Sequence, residues 1–149
     1  MIIYGSFAIS HWFDDYFKRP SDIDVVSYND TLINQTYLQN LSKEYNLPLE
    51  LTYQKDGYFF NVFEDMTSDY YLNPEGILTV KMSHAMYDYN LDKTINDIIF
   101  LQQKNIKYDI DKLMHLRNYW KERYKGFREK MDFNKHPDDF FTRFIHFGD

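Results

Sequence analysis

The sequence predicts an α+β fold, in which a small mixed β-sheet with helices on one face is followed by a helical C-terminal half. Short segments that alternate apolar and polar residues occur up to about residue 70, whereas helical spacing of apolar residues dominates after it. Aromatic residues make up 19% of the 149 residues and can fill a core in so short a chain. We therefore expect a first, sheet-containing domain, residues 1–70, and a helical lobe packed on it, residues 71–149.

The first three predicted elements are a strand, a helix and a second strand. Met1–Tyr4 is an apolar strand candidate, and Gly5 ends it. Apolar residues at helical spacing then predict a helix over Ser6–Phe17, with Ser6 as its N-cap. The alternating segment Asp22–Tyr28 is rich in Ile and Val, which predicts the second strand.

The remaining elements follow from the same two periodicities. Asn29–Asn46 carries its leucines and isoleucine on one face and is expected to be helical. Leu49–Tyr53 alternates as a third strand, and the turn residues Gln54–Gly57 predict a hairpin into a fourth strand, Tyr58–Phe63. The helices predicted for the second half are Glu75–Met86, Asp92–Lys104, Ile110–Lys130 and a short one that starts at Pro137.

Composition and charge restrict the classes of function. A formal net charge of −6 argues against indiscriminate nucleic-acid binding, which depends on neutralising phosphates. The chain has no Cys, which excludes disulfides, zinc–thiolate sites and a cysteine nucleophile. No apolar run approaches the roughly 18–20 residues that cross a bilayer, and the N-terminus lacks the basic leader of a signal peptide. These features predict a soluble cytoplasmic protein.

Asp22 and Asp24 form the most informative polar pair in the sequence. Positions i and i+2 of a strand point to the same face, so the two carboxylates should lie side by side. Neighbouring carboxylates repel each other, and each is stabilised by protonation or by a cation. Mg²⁺ prefers oxygen ligands, commonly one or two carboxylates together with substrate phosphates and water. The pair therefore predicts a metal site.

A phosphate-binding turn and a third carboxylate would complete such a site. Gly5 and Ser6 lie where the first strand meets the first helix, and the free N–H groups there can hold a phosphate. Glu50 stands between two leucines on the third predicted strand and is the candidate third acid, which would bind a second metal and help activate an attacking hydroxyl. Glu64 and Asp65 compete for the same role.

The pattern Gly5-Ser6 followed by Ser21-Asp22-Ile23-Asp24 resembles the signature of the polymerase-β-like nucleotidyltransferase superfamily. Within it, the chain looks closest to the small nucleotidyltransferases of tailed bacteriophages and is more distantly similar to the toxins of type IV toxin–antitoxin systems. The resemblance covers most of the chain and includes the segments Lys81–His84, Lys93–Leu101 and Pro137–Phe141. The fifteen residues between Ser6 and Asp22 slightly exceed the family's usual spacing, which implies an extended first helix or loop.

The resemblance implies an enzyme that transfers a nucleoside monophosphate from a nucleoside triphosphate, such as ATP, to an acceptor hydroxyl. It implies Asp22 and Asp24 as ligands of two Mg²⁺ or Mn²⁺ ions, and Ser6 and Lys81 as contacts of the nucleotide phosphates. Asp97 would be a structural or active-site acid on the following helix. A phage-encoded protein of this kind would act in the host cytoplasm.

The acceptor and the class of activity stay open at the level of sequence. A tRNA 3′ end or another RNA, a protein hydroxyl and a small molecule all fit the acceptor, and a homo-oligomer or a partner protein could supply its binding surface. A non-catalytic nucleotide-binding protein that retains the fold is the alternative from another class. A metal-dependent phosphoester hydrolase is the second enzyme alternative.

Two further features have a structural explanation beside the functional one. Seven basic residues between Lys112 and Lys130, against two acids, form either a solvated helix face or a surface for RNA or phosphate. His84 lies one turn after Lys81 and could approach a substrate, but a lone His is more often a packed or surface residue. The other four histidines show no metal-ligand spacing.

Overall fold

The computed structural model describes residues 1–28, 33–86 and 91–123. Among these residues, strands and helices occur up to residue 72 and only helices follow, which confirms the predicted α+β fold class. The described strands are β1 (Ile2–Tyr4), β2 (Ile23–Ser27), β3 (Leu49–Tyr53), β4 (Thr67–Ser68) and β5 (Tyr71–Leu72). The described helices are α1 (Gly5–Trp12), α2 (Gln35–Tyr45), α3 (Tyr58–Phe63), α4 (Pro74–Met86), α5 (Leu91–Gln103) and α6 (Ile110–Arg123). None of the described helices is long and apolar enough to cross a membrane.

The chain divides into two compact units, Met1–Ile77 and Leu78–Asp149. The first unit contains one five-stranded mixed sheet with the strand order β3-β2-β1-β5-β4. β1 pairs with β2 in antiparallel and with β5 in parallel orientation, while β2 and β3 are parallel. Parallel neighbours require a crossover connection, and α2 lies in the segment that joins β2 to β3.

The strand registers assign residues to the two faces of the sheet. Ile3, Val25 and Tyr71 occupy paired positions and therefore share one face. Phe7 of α1 stacks on Tyr71 at 6.3 Å between ring centroids and packs edge-on against Tyr45 of α2 at 5.1 Å. α1 and α2 therefore cover this face, where Ile3, Phe7 and Val25 are buried.

The opposite face carries Tyr4, Asp24 and Glu50, which are also paired positions. Phe59 of α3 packs against Tyr4 at 5.4 Å between ring centroids, and it contacts Phe63 one turn further along the helix at 4.8 Å. Both phenylalanines are buried. The three polar and aromatic positions at this end of the sheet are therefore bordered by an apolar helix.

The prediction of a strand at Tyr58–Phe63 is wrong, because this segment is α3. The turn at residues 54–57 does form, but its polar side chains start a helix instead of a hairpin. Asp56 Oδ1 accepts a hydrogen bond from the Tyr58 N–H at 3.1 Å, and Gln54 Oε1 accepts one from the Phe59 N–H at 3.0 Å. These bonds satisfy N–H groups that have no intrahelical partner.

The first helix is shorter than predicted and starts one residue earlier. α1 ends at Trp12 because Phe13 is extended, with φ −133°, so residues 13–17 do not continue it. The Trp12 indole N–H donates to the Leu72 carbonyl at 2.8 Å, which fixes the helix end against β5. Tyr4 occupies the N-cap position and makes no side-chain cap, so the prediction of Ser6 as N-cap is wrong. Ser6 belongs to the first turn.

Two other boundaries differ from the sequence prediction. α2 begins at Gln35, where the Asn34 side chain accepts a hydrogen bond from the Tyr37 N–H, while residues 29–32 lie outside the described residues. The hairpin of β4 and β5 was not predicted. Its two loop residues, Asp69 and Tyr70, have φ values of 48° and 76°, as the tight loop of a hairpin requires.

The second unit is helical in its described part. α5 and the end of α4 match their predicted bounds to within a residue. α6 begins at Ile110 as predicted, and Asp109 Oδ1 accepts a hydrogen bond from the Lys112 N–H at 3.0 Å at its start. The predicted continuation to Lys130 and the helix from Pro137 lie outside the described residues. The buried apolar side chains of this unit include Leu78, Met82, Ile98, Leu101, Leu113 and Leu116.

Candidate metal and phosphate site

Three carboxylates meet at one end of the sheet in the first unit. Asp22 directly precedes β2, Asp24 is its second residue, and Glu50 occupies the paired position on β3. One carboxylate oxygen from each of the three lies within 4.8 Å of the others. Parallel pairing of β2 with β3 brings the distant Glu50 to the two aspartates, which are already close in sequence. The predicted third acid therefore joins the predicted pair.

The electrostatics of this acid cluster favour a bound cation. A hydrogen bond with Asp22, the negative charge of Asp22 and slight burial raise the pKa of Glu50, and a hydrogen bond with Asp24 acts in the opposite direction. A raised carboxyl pKa means that the cluster holds its full negative charge poorly. The donor set is oxygen only, which suits a hard divalent ion such as Mg²⁺. The residues present therefore fit the metal that the sequence pattern implies.

Gly5 lies beside the acid cluster and is needed there for two reasons. It follows Tyr4, the β1 residue paired with Asp24, and its φ of 73° is in the left-handed region. A Cβ atom at this position would overlap the Asp24 carboxylate. Glycine therefore permits both the turn from β1 into α1 and the close approach of the carboxylate to the backbone.

The start of α1 supplies hydrogen-bond donors next to the acids. Gly5 and Ser6 belong to the first turn of α1, where N–H groups have no intrahelical acceptor. The Tyr16 hydroxyl donates to Ser6 Oγ at 3.2 Å, so Tyr16 is a neighbour of the turn that sequence analysis did not include. This contact could not be predicted from periodicity, because α1 ends at Trp12 and Tyr16 lies beyond the end of the helix. The turn and the acid cluster together could hold a phosphate with its counter-ion.

The competing acids occupy a different place. Glu64 and Asp65 lie in a 3₁₀ turn, Glu64–Met66, between α3 and β4, and both are exposed. Neither belongs to the acid cluster of Asp22, Asp24 and Glu50, the one such group in the described part of the chain. Geometry therefore selects Glu50 as the third acid.

Lys81 and Asp97 pair with each other inside the second unit. Lys81 Nζ on α4 lies 3.0 Å from Asp97 Oδ2 on α5, and the Asp97 side chain is fully buried. Burial and the positive charge of Lys81 lower the pKa of His84 to about 3, so this imidazole is neutral at physiological pH. Lys81 and Asp97 therefore belong to a contact between α4 and α5, while the His84 ring lies 6.2 Å from the Trp120 ring of α6 between centroids. A contact of Lys81 with nucleotide phosphates stays a prediction.

The basic segment is only partly a solvated face. Lys121 and Arg123 are exposed, and the Arg123 guanidinium lies 3.8 Å from the Tyr119 ring centroid. Arg117 is buried, so it does not contribute to an exposed basic surface. The other predicted members of this segment, Lys125, Arg128 and Lys130, lie outside the described residues.

The other described histidines, His11 and His115, do not belong to the acid cluster. His11 stacks on Tyr71 with 3.7 Å between ring centroids and an angle of 8° between the rings. His115 is exposed on α6, and His136 and His146 lie outside the described residues.

Comparisons of the chain with protein-family models, with curated proteins and with solved structures find no match. The chemistry of the first unit must therefore be inferred from the acid cluster and the turn beside it.

Proposed function

We propose that this protein is a nucleotidyltransferase that moves a nucleoside monophosphate from a nucleoside triphosphate to an acceptor hydroxyl. One observation carries the proposal: Asp22, Asp24 and Glu50 bring oxygen ligands within 4.8 Å of one another. The strand-to-helix turn at Gly5 lies directly beside them. Metal ligands and phosphate donors in one place are what this reaction requires.

In the proposed reaction, Asp22 and Asp24 would hold two Mg²⁺ or Mn²⁺ ions and Glu50 the acceptor-side one. When bound, these ions would neutralise charge on the phosphates of the substrate. The first-turn N–H groups of Gly5 and Ser6 would donate to oxygens of the triphosphate. The chain would thereby orient the α-phosphate for in-line attack, and positioning with charge neutralisation would supply most of the rate.

Glu50 is suited to remove a proton from the acceptor. Its carboxylate is exposed to incoming molecules and can accept the proton of the acceptor hydroxyl. The acceptor oxygen forms a bond to the α-phosphorus, and its proton passes to the Glu50 carboxylate. The bond from the α-phosphorus to the oxygen that bridges to the β-phosphate breaks, and pyrophosphate leaves.

Transfer of an α-labelled nucleotide tests the proposal. The protein is incubated with each of the four α-labelled nucleoside triphosphates, with Mg²⁺ or Mn²⁺ and with a panel of RNA, protein and small-molecule acceptors. We expect label on one class of acceptor, together with stoichiometric pyrophosphate. Asp22→Asn and Asp24→Asn should each reduce transfer by about 100-fold or more, because each removes charge stabilisation at the reacting phosphate.

Glu44→Gln is the matched control, because Glu44 is an exposed acid of the same unit on α2 and lies outside the acid cluster. It should transfer label like the parent protein. Phosphate or pyrophosphate released without a labelled acceptor would show a hydrolase instead. Nucleotide binding without any turnover would show a non-catalytic nucleotide-binding protein. Label transfer that persists in both aspartate variants would contradict the proposed site.

A further inference from the structure

We infer that β3 pairs with β3 of a second copy of the chain, so that two sheets join into one. The pairing is antiparallel and centred on Leu51, and it brings Thr52 of each copy across from Glu50 of the other. The inference of a dimer depends on the open edge of the sheet and not on the proposed reaction. Only the role of Thr52 at the acid cluster depends on the proposed function.

β3 is the outermost strand on its side of the sheet, and no described strand lies beyond it. Its four residues from Glu50 to Tyr53 are exposed, although the strand carries the large apolar side chains Leu51 (40% exposed) and Tyr53 (46%). An edge strand with an apolar, flat and exposed face is a template for pairing with another strand. Natural edges of this kind are usually protected by charged side chains, proline or a bulge; β3 has no lysine, proline or bulge, and Glu50 is its one charged residue.

The hydrogen bonds to β2 fix which backbone groups of β3 are directed outward. The Ile23 N–H donates to the Pro48 carbonyl at 2.9 Å, and the Gln54 N–H donates to the Ser27 carbonyl at 2.8 Å. In a parallel ladder, alternate residues bond to the same neighbour, so Glu50 and Thr52 also bond to β2. Leu49, Leu51 and Tyr53 therefore direct their N–H and carbonyl groups to the open edge.

Among the symmetric registers that this arrangement allows, the one centred on Leu51 pairs the most outward groups of β3 without placing like charges opposite each other. With Leu51 opposite Leu51, the outward groups of Leu49 and Tyr53 also face each other, which gives about six interchain hydrogen bonds. The apolar side chains Leu49, Leu51 and Tyr53 then meet on one face. Glu50 lies opposite Thr52 on the other face, so no two like charges are directly across from each other. The segment is thus complementary to itself in charge and in polarity.

A cavity beside β3 offers room for a side chain of the second copy. It measures about 300 Å³ and is lined by Leu49 together with Gln39, Asn40, Ser42 and Lys43 of α2. In the register centred on Leu51, Tyr53 of the second copy lies opposite Leu49, on the face that carries this cavity. An aromatic ring with a polar tip matches the apolar and polar lining. A second copy of the chain therefore fits this edge in backbone, charge and shape.

The same register places a hydroxyl group at the acid cluster. Thr52 and Glu50 share the sheet face of Asp24, and directly opposed residues of an antiparallel pair approach to about 4.5–5.5 Å between Cβ atoms. The Thr52 hydroxyl of one copy can therefore donate to the Glu50 carboxylate of the other. This bond would orient the proposed base, so Thr52 is a positioning residue supplied across the dimer.

Engineered cysteines test the register directly, because the natural chain has no Cys to compete. Leu51→Cys should form a covalent dimer on oxidation with copper phenanthroline, since Cα atoms of a directly bonded antiparallel pair lie about 5.5 Å apart, within disulfide range. Tyr53→Cys is the matched control. Its two copies would be about 13 Å apart along the strands and should not cross-link. Faster cross-linking at Tyr53→Cys than at Leu51→Cys overturns the register.

Sedimentation of the untagged full chain tests the dimer without any cysteine. We expect the parent protein to reach twice the monomer mass as its concentration rises, and Leu51→Pro to weaken dimerisation by at least about 10-fold. Proline removes only an outward N–H here and leaves the ladder to β2 intact. Leu51→Lys should also weaken dimerisation and replaces the proline variant if proline disturbs folding. Ile110→Lys changes an exposed apolar position of the other unit and should leave dimerisation unchanged.

The dimer and the proposed enzyme can fail separately. Asp22→Asn should dimerise like the parent protein, because Asp22 lies outside β3, whether or not the chain transfers nucleotides. A chain that stays monomeric at every concentration, or that dimerises equally well as Leu51→Pro and Leu51→Lys, overturns the inference. Binding of another protein's extended peptide to monomeric chain would assign the edge to that partner and also overturn it.

Discussion

Gly5 shows how closely single residues are specified around the acid cluster. Its backbone conformation disfavours any side chain, and its Cα approaches the Asp24 carboxylate so closely that a methyl group would displace it. The sequence indicated Gly5 as part of a phosphate turn, and that role stays a prediction. The contact with Asp24 could not be predicted, because it depends on the pairing of Tyr4 with Asp24, two residues twenty positions apart in the sequence.

Gly5→Ala should weaken Mg²⁺ binding by about 10–100-fold, as expected when a neighbour of a metal ligand is disturbed. It should also destabilise the fold by about 1–2 kcal/mol, because alanine is strained at positive φ. Isothermal titration with Mg²⁺ and thermal unfolding in EDTA measure the two effects. Gly57→Ala is the matched control, since Gly57 has a φ of 65° and contacts Tyr28 away from the acids. It should lose stability but keep its Mg²⁺ affinity.

Glu50→Gln should raise the thermal stability of the metal-free protein near neutral pH and reduce the stabilisation by Mg²⁺. Folding raises the pKa of Glu50 above its ordinary value of 4.5. At a pH between the ordinary pKa and the raised one, the folded protein therefore holds a proton that the unfolded chain has released. Folding stability therefore falls as pH rises through that window, and glutamine removes the fall. Unfolding temperatures from about pH 4 to about pH 8, with EDTA or with Mg²⁺, measure the difference. An identical pH profile for parent and variant contradicts the expectation.

Elements with a strong periodic signal were predictable, and short elements defined by local polar contacts were not. β1, β2, β3 and the described helices α4, α5 and α6 follow from alternation and from helical spacing. α3 was mistaken for a strand because its aromatic residues favour strands, although Phe59 and Phe63 also have the spacing of a helix. Two-residue strands such as β4 and β5 carry no periodicity at all. Their pairing is decided by the rest of the sheet.

The contact between α4 and α5 depends on a buried ion pair whose two members are not equivalent. Lys81→Met should destabilise the protein by about 3–5 kcal/mol, because it removes the ammonium group that lies 3.0 Å from the fully buried Asp97 carboxylate. Asp97→Asn should cost about 1–3 kcal/mol, since the Lys81 side chain is 16% exposed and can reach water. Urea unfolding of each variant measures these changes.

The double variant Lys81→Met/Asp97→Leu should lose less stability than the sum of the single changes, as expected for directly coupled residues. Glu122→Gln is the control, because the pair of Glu122 with Arg123 is exposed and 3.6 Å long, and should change stability by less than about 1 kcal/mol. Equal losses for the buried and the exposed pair would contradict a structural role for Lys81 and Asp97.

At the scale of the whole molecule, charge and organisation limit the partners. The net charge is −6, and the described basic residues of α6 form a smaller exposed surface than their number suggests, because Arg117 is buried. The change from strands to helices after residue 72 in the described part of the chain was predictable from the change of periodicity. The acceptor was not, because no single class of acceptor is indicated by the residues around the acid cluster.

The protein should bind nucleic acid of arbitrary sequence only weakly. We expect a dissociation constant above about 10⁻⁴ M for an RNA duplex of arbitrary sequence at physiological salt, with little dependence of affinity on salt concentration, because few phosphates are neutralised. Fluorescence anisotropy of labelled RNA across a salt series measures both quantities. A steep salt dependence, equivalent to several phosphate contacts, would contradict this expectation and favour a dedicated RNA surface.

The crossover through α2 also determines when the acid cluster can exist during synthesis. Asp22 and Asp24 leave the ribosome together, but Glu50 reaches them only after β3 has docked beside β2. A nascent chain that ends before residue 50 has only two of the three carboxylates, and one that ends before residue 53 lacks the complete strand that positions Glu50. We therefore expect the growing polypeptide to bind divalent ions at the acid cluster only once its third strand has emerged, so that loading of the ion would depend on completion of the sheet.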